Sequence, residues 1–190
     1  MNQNQIFEQL QKYRETNNYL DLPMHFGNFG IFTGLDALSF VFDEIPDEQK
    51  YQIVIDVYTN LKSPSKYMTK YLKAVKRFKP PDALDSIKNY INADGSIAIY
   101  HGGRIFKRAD LIPSWTLSVD VAIWFAKRFL VLFGNTVLYR GVIQSDDVIA
   151  YTNERNEQEI IQYKSVKNIE VINEFKKVEL ENRGNEDEDE

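Results

Sequence analysis

The sequence predicts an α+β chain, with a helical front part followed by a mostly β part that carries the chemistry. Three observations lead there. Through the first half, apolar residues recur at spacings of three and four, the helix period. After Asn92-Ala93-Asp94-Gly95, which is turn chemistry, the texture changes to short runs such as Ser96-Ile97-Ala98-Ile99-Tyr100, which read as strands. No long linker separates the two textures, so the helices are expected to pack on the sheet. The expected division is a helical region over 1–94, a β-rich core over 95–181 and a disordered acidic tail over 182–190, the last five residues all being acidic.

At 190 residues the chain is one domain, or one domain with a small accessory part. A hydrophobic fraction of 43% supports a core, and 11 Tyr, 12 Phe and 2 Trp supply its bulk. The net charge of -5 argues against a nucleic-acid binder of the usual kind, which carries a basic patch or stripe. The absence of cysteine excludes disulfides and thiol chemistry and fits a reducing, cytoplasmic compartment. Two histidines without cysteine leave little for a zinc site, and no metal is expected. Met-Asn-Gln-Asn-Gln-Ile-Phe is not a signal peptide, and no run approaches the ~20 apolar residues that cross a bilayer. Abundant Lys, Asn, Ile and Tyr suit an AT-rich bacterial or phage genome.

In chain order, Ile6, Leu10 and Tyr13 share one face of a helix expected over about 4–17. Residues 22–34 hold three glycines and a proline and read as an irregular connection into a short apolar segment, 35–42. Pro46-Asp47-Glu48 opens a helix whose apolar positions are Tyr51, Ile55, Tyr58 and Leu61. Ser63-Pro64-Ser65 stops it and caps the next. That helix turns Met68, Tyr71, Leu72 and Val75 inward, with Lys66, Lys70, Lys73, Lys76 and Arg77 on a solvated face. Pro80-Pro81-Asp82 starts a short helix ending near Ile91. Beyond the turn, strands are expected over 96–100, 136–143, 147–151, 157–163 and 168–172. A helix over 117–129 lies among them, with Val121, Trp124, Phe125 and Phe129 as its apolar stripe.

Three stations on the β-rich part carry chemistry. The first is Tyr100-His101-Gly102-Gly103-Arg104, directly after a strand, where glycine lets a ligand approach the backbone. The second is Ser114-Trp115-Thr116, before the helix. The third is Glu157-Gln158-Glu159. If it lies on a strand, alternation turns both carboxylates to one face, and two like charges side by side need a cation or a reacting centre to meet them. A solvated edge strand with two surface glutamates is the plain alternative.

In this order the stations resemble those of the ADP-ribosyltransferases. That family reads an Arg or His at the end of a first strand, then Ser-x-Ser/Thr, then Glu/Gln-x-Glu. Ile99-Tyr100-His101-Gly102-Gly103-Arg104 is similar to the His-Gly strand end of the diphtheria-toxin-like and poly-ADP-ribose-polymerase branch. Ser114-Trp115-Thr116, followed by Ala122-Ile123-Trp124-Phe125-Ala126, is similar to the toxin-like branch. Glu157-Gln158-Glu159 is similar to the arginine-directed transferases. The resemblance covers about 98–172. His101 is taken as the first station; Arg140, in Tyr139-Arg140-Gly141, is its rival by letter but falls after Ser114.

The resemblance implies a split β-sheet core, NAD as substrate, no metal, and mono-ADP-ribosyl transfer to a protein, with arginine the expected side chain and nucleic acid the other acceptor class. It implies that Glu159 stabilises the ribosyl cation and bonds the ribose 2′-hydroxyl, that Glu157 meets the acceptor, and that Ser114 orients Glu159. Gly102 would hold the nicotinamide amide and His101 the adenosine ribose. Tyr100, Trp115 and Phe125 are candidates to stack on the nicotinamide ring, with Thr116 beside them. NAD glycohydrolysis is the neighbouring activity. A non-catalytic module that binds NAD or a partner on the same fold is the reading of a different class.

Overall fold

Helix-period patterning in the first half produces α-helices. The computed structural model of the chain describes residues 3–26, 33–61 and 67–177. The chain divides into two compact units, Met1–Pro80 and Pro81–Glu190. The first holds α1 (Gln3–Thr16), α2 (Leu22–His25), α3 (Gly34–Val41), α4 (Asp47–Thr59) and α5 (Met68–Val75). α3 starts at a reciprocal cap: the Thr33 hydroxyl accepts from Asp36 N, and the Asp36 carboxylate accepts from Thr33 N at 2.7 Å. Such a cap is worth about 1 kcal/mol. α4 begins after Pro46 with Asp47 and Glu48 in its first turn, as expected. α5 buries Met68, Tyr71, Leu72 and Val75, the residues its periodicity selects. The expected irregular connection over 22–34 contains the helical turn α2; residues 27–32, like the stop signal at 63–65, Lys66 and the acidic tail, lie outside the described residues.

The second unit opens with a 3-10 turn, Asp85–Tyr90, in place of the short helix expected to start at Pro80. Its strands are β1 (Ser96–Gly103), β2 (Ser114–Thr116), β3 (Asn135–Gln144), β4 (Ala150–Thr152), β5 (Glu159–Ile161) and β6 (Lys167–Lys176), with α6 (Val119–Phe133) between β2 and β3. They form one antiparallel sheet in the order β4-β5-β2-β1-β3-β6. Helices with an antiparallel six-stranded sheet make the chain α+β, as the sequence predicts. β1 and β3 pair along eight register positions, whereas β1 and β2 pair at one, Tyr100 with Thr116.

Two strand boundaries depart from expectation. The strand expected over 147–151 begins later: Ser145–Asp147 is a 3-10 turn, and β4 starts at Ala150. The strand expected over 157–163 shrinks to β5, because Gln158 has φ 46° and breaks the extended backbone before Glu159. α6 also runs on to Phe133, where Gly134, at φ 72°, ends it.

The two faces of the sheet are covered differently. On one, Ile97, Ile99, Trp115, Val137, Tyr139, Ile143 and Ile160 join Ile87, Ile112 and Val166 in a buried cluster. Trp115 is fully enclosed, and its indole N–H donates to Ile112 O at 2.9 Å. On the other face α6 presses against β1. A Cβ added to Gly102 would lie 1.7 Å from the carbonyl oxygen of Ala122. The helix side that makes this approach is Ala122, Ala126 and Leu130, all buried. The expected inward stripe is therefore displaced: Trp124 is 53% exposed, and Phe125 and Phe129 are half-buried. Small side chains take the sheet side because the backbones meet too closely for an aromatic ring.

Candidate active site

Register partners across an antiparallel sheet share a face. Arg140, Tyr100, Thr116, Glu159 and Thr152 are successive partners from β3 to β4, so they form one row across five strands. Glu170 of β6 extends the row beyond Arg140. The third station and part of the second are thus brought together. Thr116 stands opposite Glu159; Ser114, expected to orient that carboxylate, stands opposite Ile161. The place nearest Glu159 on β2 belongs to the threonine.

Glu159 is 4% exposed at the mouth of β5. Glu157 reaches the same point by a route other than strand alternation. It belongs to the loop between β4 and β5, where Asn156 (φ 57°) and Gln158 (φ 46°) both take the left-handed conformation. Asn tolerates that region; a glutamine there is strained by about 1 kcal/mol. The strain is held in place from both sides. Gln158 N donates to Asn153 Oδ1 at 3.0 Å, Leu117 N donates to Gln158 O at 3.1 Å, and the Thr116 hydroxyl donates to Glu157 O at 2.6 Å. The end of β2 therefore clamps the backbone that carries both glutamates.

The two carboxylates close on a single cation. Arg155 Nη2 lies 3.1 Å from Glu157 Oε2 and 3.4 Å from Glu159 Oε2. That guanidinium offsets the mutual repulsion that would otherwise oppose holding two acids together. Beside the trio is a cleft of about 360 Å³ lined by Asp120, Val121, Trp124 and Phe125 from α6 and by Arg155, Asn156 and Glu157 from the loop. Aromatic and apolar walls with a few convergent polar groups are the usual make-up of a ligand site. Among the described residues no group of three or more His, Cys, Asp or Glu is placed to hold a metal ion, and no helix is long and apolar enough to cross a membrane.

The first station is placed elsewhere. His101 neighbours Tyr100 in the strand, so its ring points to the opposite face, where it packs with Phe106, Trp115 and Tyr139 at centroid distances of 6.0, 5.8 and 6.4 Å. Its Nδ1 is 2.9 Å from Ser114 O. A carbonyl oxygen only accepts, so Nδ1 carries the proton and Nε2 is left as an acceptor. Burial drives the imidazole pKa down to about 4, against the partial support of the Ser114 bond, so the ring is neutral at pH 7. Gly102 meets a structural need: the space its missing side chain leaves is filled by α6. Trp115 is core and does not face the cleft. Phe125 does line the cleft, while Tyr100 is half-buried in the row. Arg140, the rival first station, is ion-paired with Glu170 at 3.0 Å, beyond β2 and β1 from Glu159.

No family model, curated protein or solved structure matches the chain. Arg155 and Asn156 fall in the loop 152–156, which the resemblance sets on the acceptor side, and Asp120 near the start of the helix, but the residue pattern assigns none of the three a role of its own. One signal for Arg155 was present, a cation in the turn immediately before two acids, but its position depends on how that turn closes.

Proposed function

We propose that the chain is a mono-ADP-ribosyltransferase that uses NAD as substrate and a protein arginine as acceptor. The observation that carries the reading is the Glu157–Glu159 pair closing on one guanidinium nitrogen at the edge of an aromatic-walled cleft. A carboxylate and a guanidinium are natural charge-assisted partners, so a site that binds its own arginine this way has the chemistry to bind another. The strand order adds support: β1, β2 and β5, which carry His101, Ser114-Trp115-Thr116 and Glu159, are consecutive neighbours. The single pairing position between β1 and β2 fits the split sheet of the resemblance, with β4-β5-β2 and β1-β3-β6 as its halves.

In this reading the bond between ribose C1′ and the nicotinamide nitrogen breaks first, and nicotinamide leaves with the bonding electrons. Glu159, fixed and nearly enclosed, stabilises the cation left on the ribose more than it stabilises the intact substrate. Glu157, the more exposed of the two, takes the proton released as the acceptor nitrogen bonds to C1′. Thr116 holds the Glu157 backbone in register with Glu159. NAD hydrolysis follows when water takes the acceptor's place.

The placement of His101 favours a second reading, a non-catalytic module that binds NAD or a partner, since the first station does not share a face with Glu159. Incubation with NAD and a small guanidine compound separates the two. Release of nicotinamide together with a labelled guanidine is expected of the transferase, and hydrolysis alone of a glycohydrolase. Binding of NAD without nicotinamide release would leave the module.

A further inference from the structure

Within the transferase reading, on which it rests, we propose that Arg155 is itself an acceptor: the enzyme modifies its own Arg155 within one molecule. Three features of the chain carry this. The same atom, Arg155 Nη2, touches both carboxylates, at 3.1 and 3.4 Å. A nucleophile nitrogen in transfer must meet the same two groups: the one that takes its proton and the one beside the ribose cation. Secondly, the loop that carries Arg155 is held rather than loose. Asn156 N donates to Asn153 O at 3.0 Å, Gln158 N bonds the Asn153 side chain, and β2 clamps the residues that follow. Thirdly, the arginine side chain is 51% exposed, so a bulky adduct on it has room toward solvent. Attack by a group already positioned avoids the entropic cost of bringing in a second molecule.

The step balances without a further reactant. The C1′–nicotinamide bond of NAD breaks and nicotinamide leaves neutral with the bonding pair. Arg155 Nη2 forms the new bond to C1′, and its proton passes to Glu157 and then to solvent. The product carries ADP-ribose on the guanidine that had neutralised the two acids. Arg155 is thus a resident competitor of any external arginine, and its modification changes the site for later turnovers.

The experiment incubates the full chain with NAD and maps ADP-ribose by peptide mass spectrometry, with released nicotinamide measured in the same tube. The expected result is ADP-ribose on Arg155. The Arg155→Lys variant, which keeps a cation between the acids but has no guanidine, should lose that modification while transfer to a free guanidine compound rises. A mixing control tests whether the step stays within one molecule. Unlabelled Glu159→Gln protein, which keeps Arg155, is combined with heavy-isotope-labelled wild-type protein, and ADP-ribose should appear on the heavy Arg155 peptide alone. Modification of the unlabelled Arg155 peptide would overturn the proposal by making Arg155 an ordinary surface target. Nicotinamide release with a labelled external guanidine but an unmodified Arg155 would overturn it while leaving the transferase reading standing. No nicotinamide release under any condition would remove both together.

Discussion

The two faces of the sheet are built from alternate residues of the same strands, yet they differ in kind. One face carries the half-buried, neutral His101 among the enclosed Trp115, Tyr139 and Ile160. The other carries Arg140, Tyr100, Thr116 and Glu159, a polar row that ends beside a cleft. A change of one position along a strand therefore separates a residue packed in the apolar cluster from one on the side of the cleft. His101 and Glu159, which the family resemblance would join in one site, lie on opposite sides of this division. Substitutions at the Glu159 end of the row, beside the cleft, should cost activity at constant stability, and those on the enclosed face the reverse.

The largest effect is expected at Glu159. Glu159→Gln preserves shape and removes the charge, and loss of one such electrostatic group costs about 100–1000-fold in rate. Nicotinamide release, measured beside a melting curve, checks it; near-normal release from a folded variant would remove Glu159 from the chemistry. Glu157→Gln should split the activity: transfer to arginine is lost while slow NAD hydrolysis persists. Equal loss of both would place Glu157 in the NAD site, and equal survival would shift the acceptor away from arginine.

His101 tests the other face. Its pKa lies near 4 in the folded chain against an ordinary 6.5. Between those values the unfolded chain takes a proton that the folded one refuses, so stability is full above about pH 6.5 and falls as the pH drops toward 4. The accumulated loss is about 3 kcal/mol. Urea midpoints across this range should show the slope in the wild type and a shallower one in His101→Gln. If His101→Gln instead kept its stability and lost NAD binding by calorimetry, the comparison between the faces would fail. The smallest effect is expected at Arg140, which is exposed and paired with an exposed Glu170. Arg140→Ala should leave the melting midpoint and nicotinamide release unchanged, since exposed pairs contribute little. A folded variant unable to bind NAD would relocate the site to the β3 end of the row.

The elements were legible in the sequence because period carries over directly into structure. Met68, Tyr71, Leu72 and Val75 are the buried face of α5, and the switch of texture after Gly95 is the start of β1. Register was not legible. Which neighbour of Thr116 stands across β1, Tyr100 or His101, is decided by how the strands pair, and that choice assigns the whole first station to a face. The inner side of α6 misled for a different reason. Hydrophobicity favours Trp124 and Phe125, but the close approach at Gly102 admits only Ala122 and Ala126. Glu157 and Glu159 do converge, as two acids in that spacing suggested, though a left-handed Gln158 brings them together where alternation was expected to.

The contact between Gly102 and Ala122 has a mechanical consequence. The helix that is seated on the sheet by that contact also supplies four of the seven residues around the cleft, Asp120, Val121, Trp124 and Phe125. A helix behaves as a stiff rod over so short a span, so its seat and its wall cannot move separately. The missing methyl at position 102 acts as a spacer of zero thickness. Any side chain there would lift the first turns of α6 and carry the wall with them, changing the aperture beside Glu157 without touching a residue that lines it.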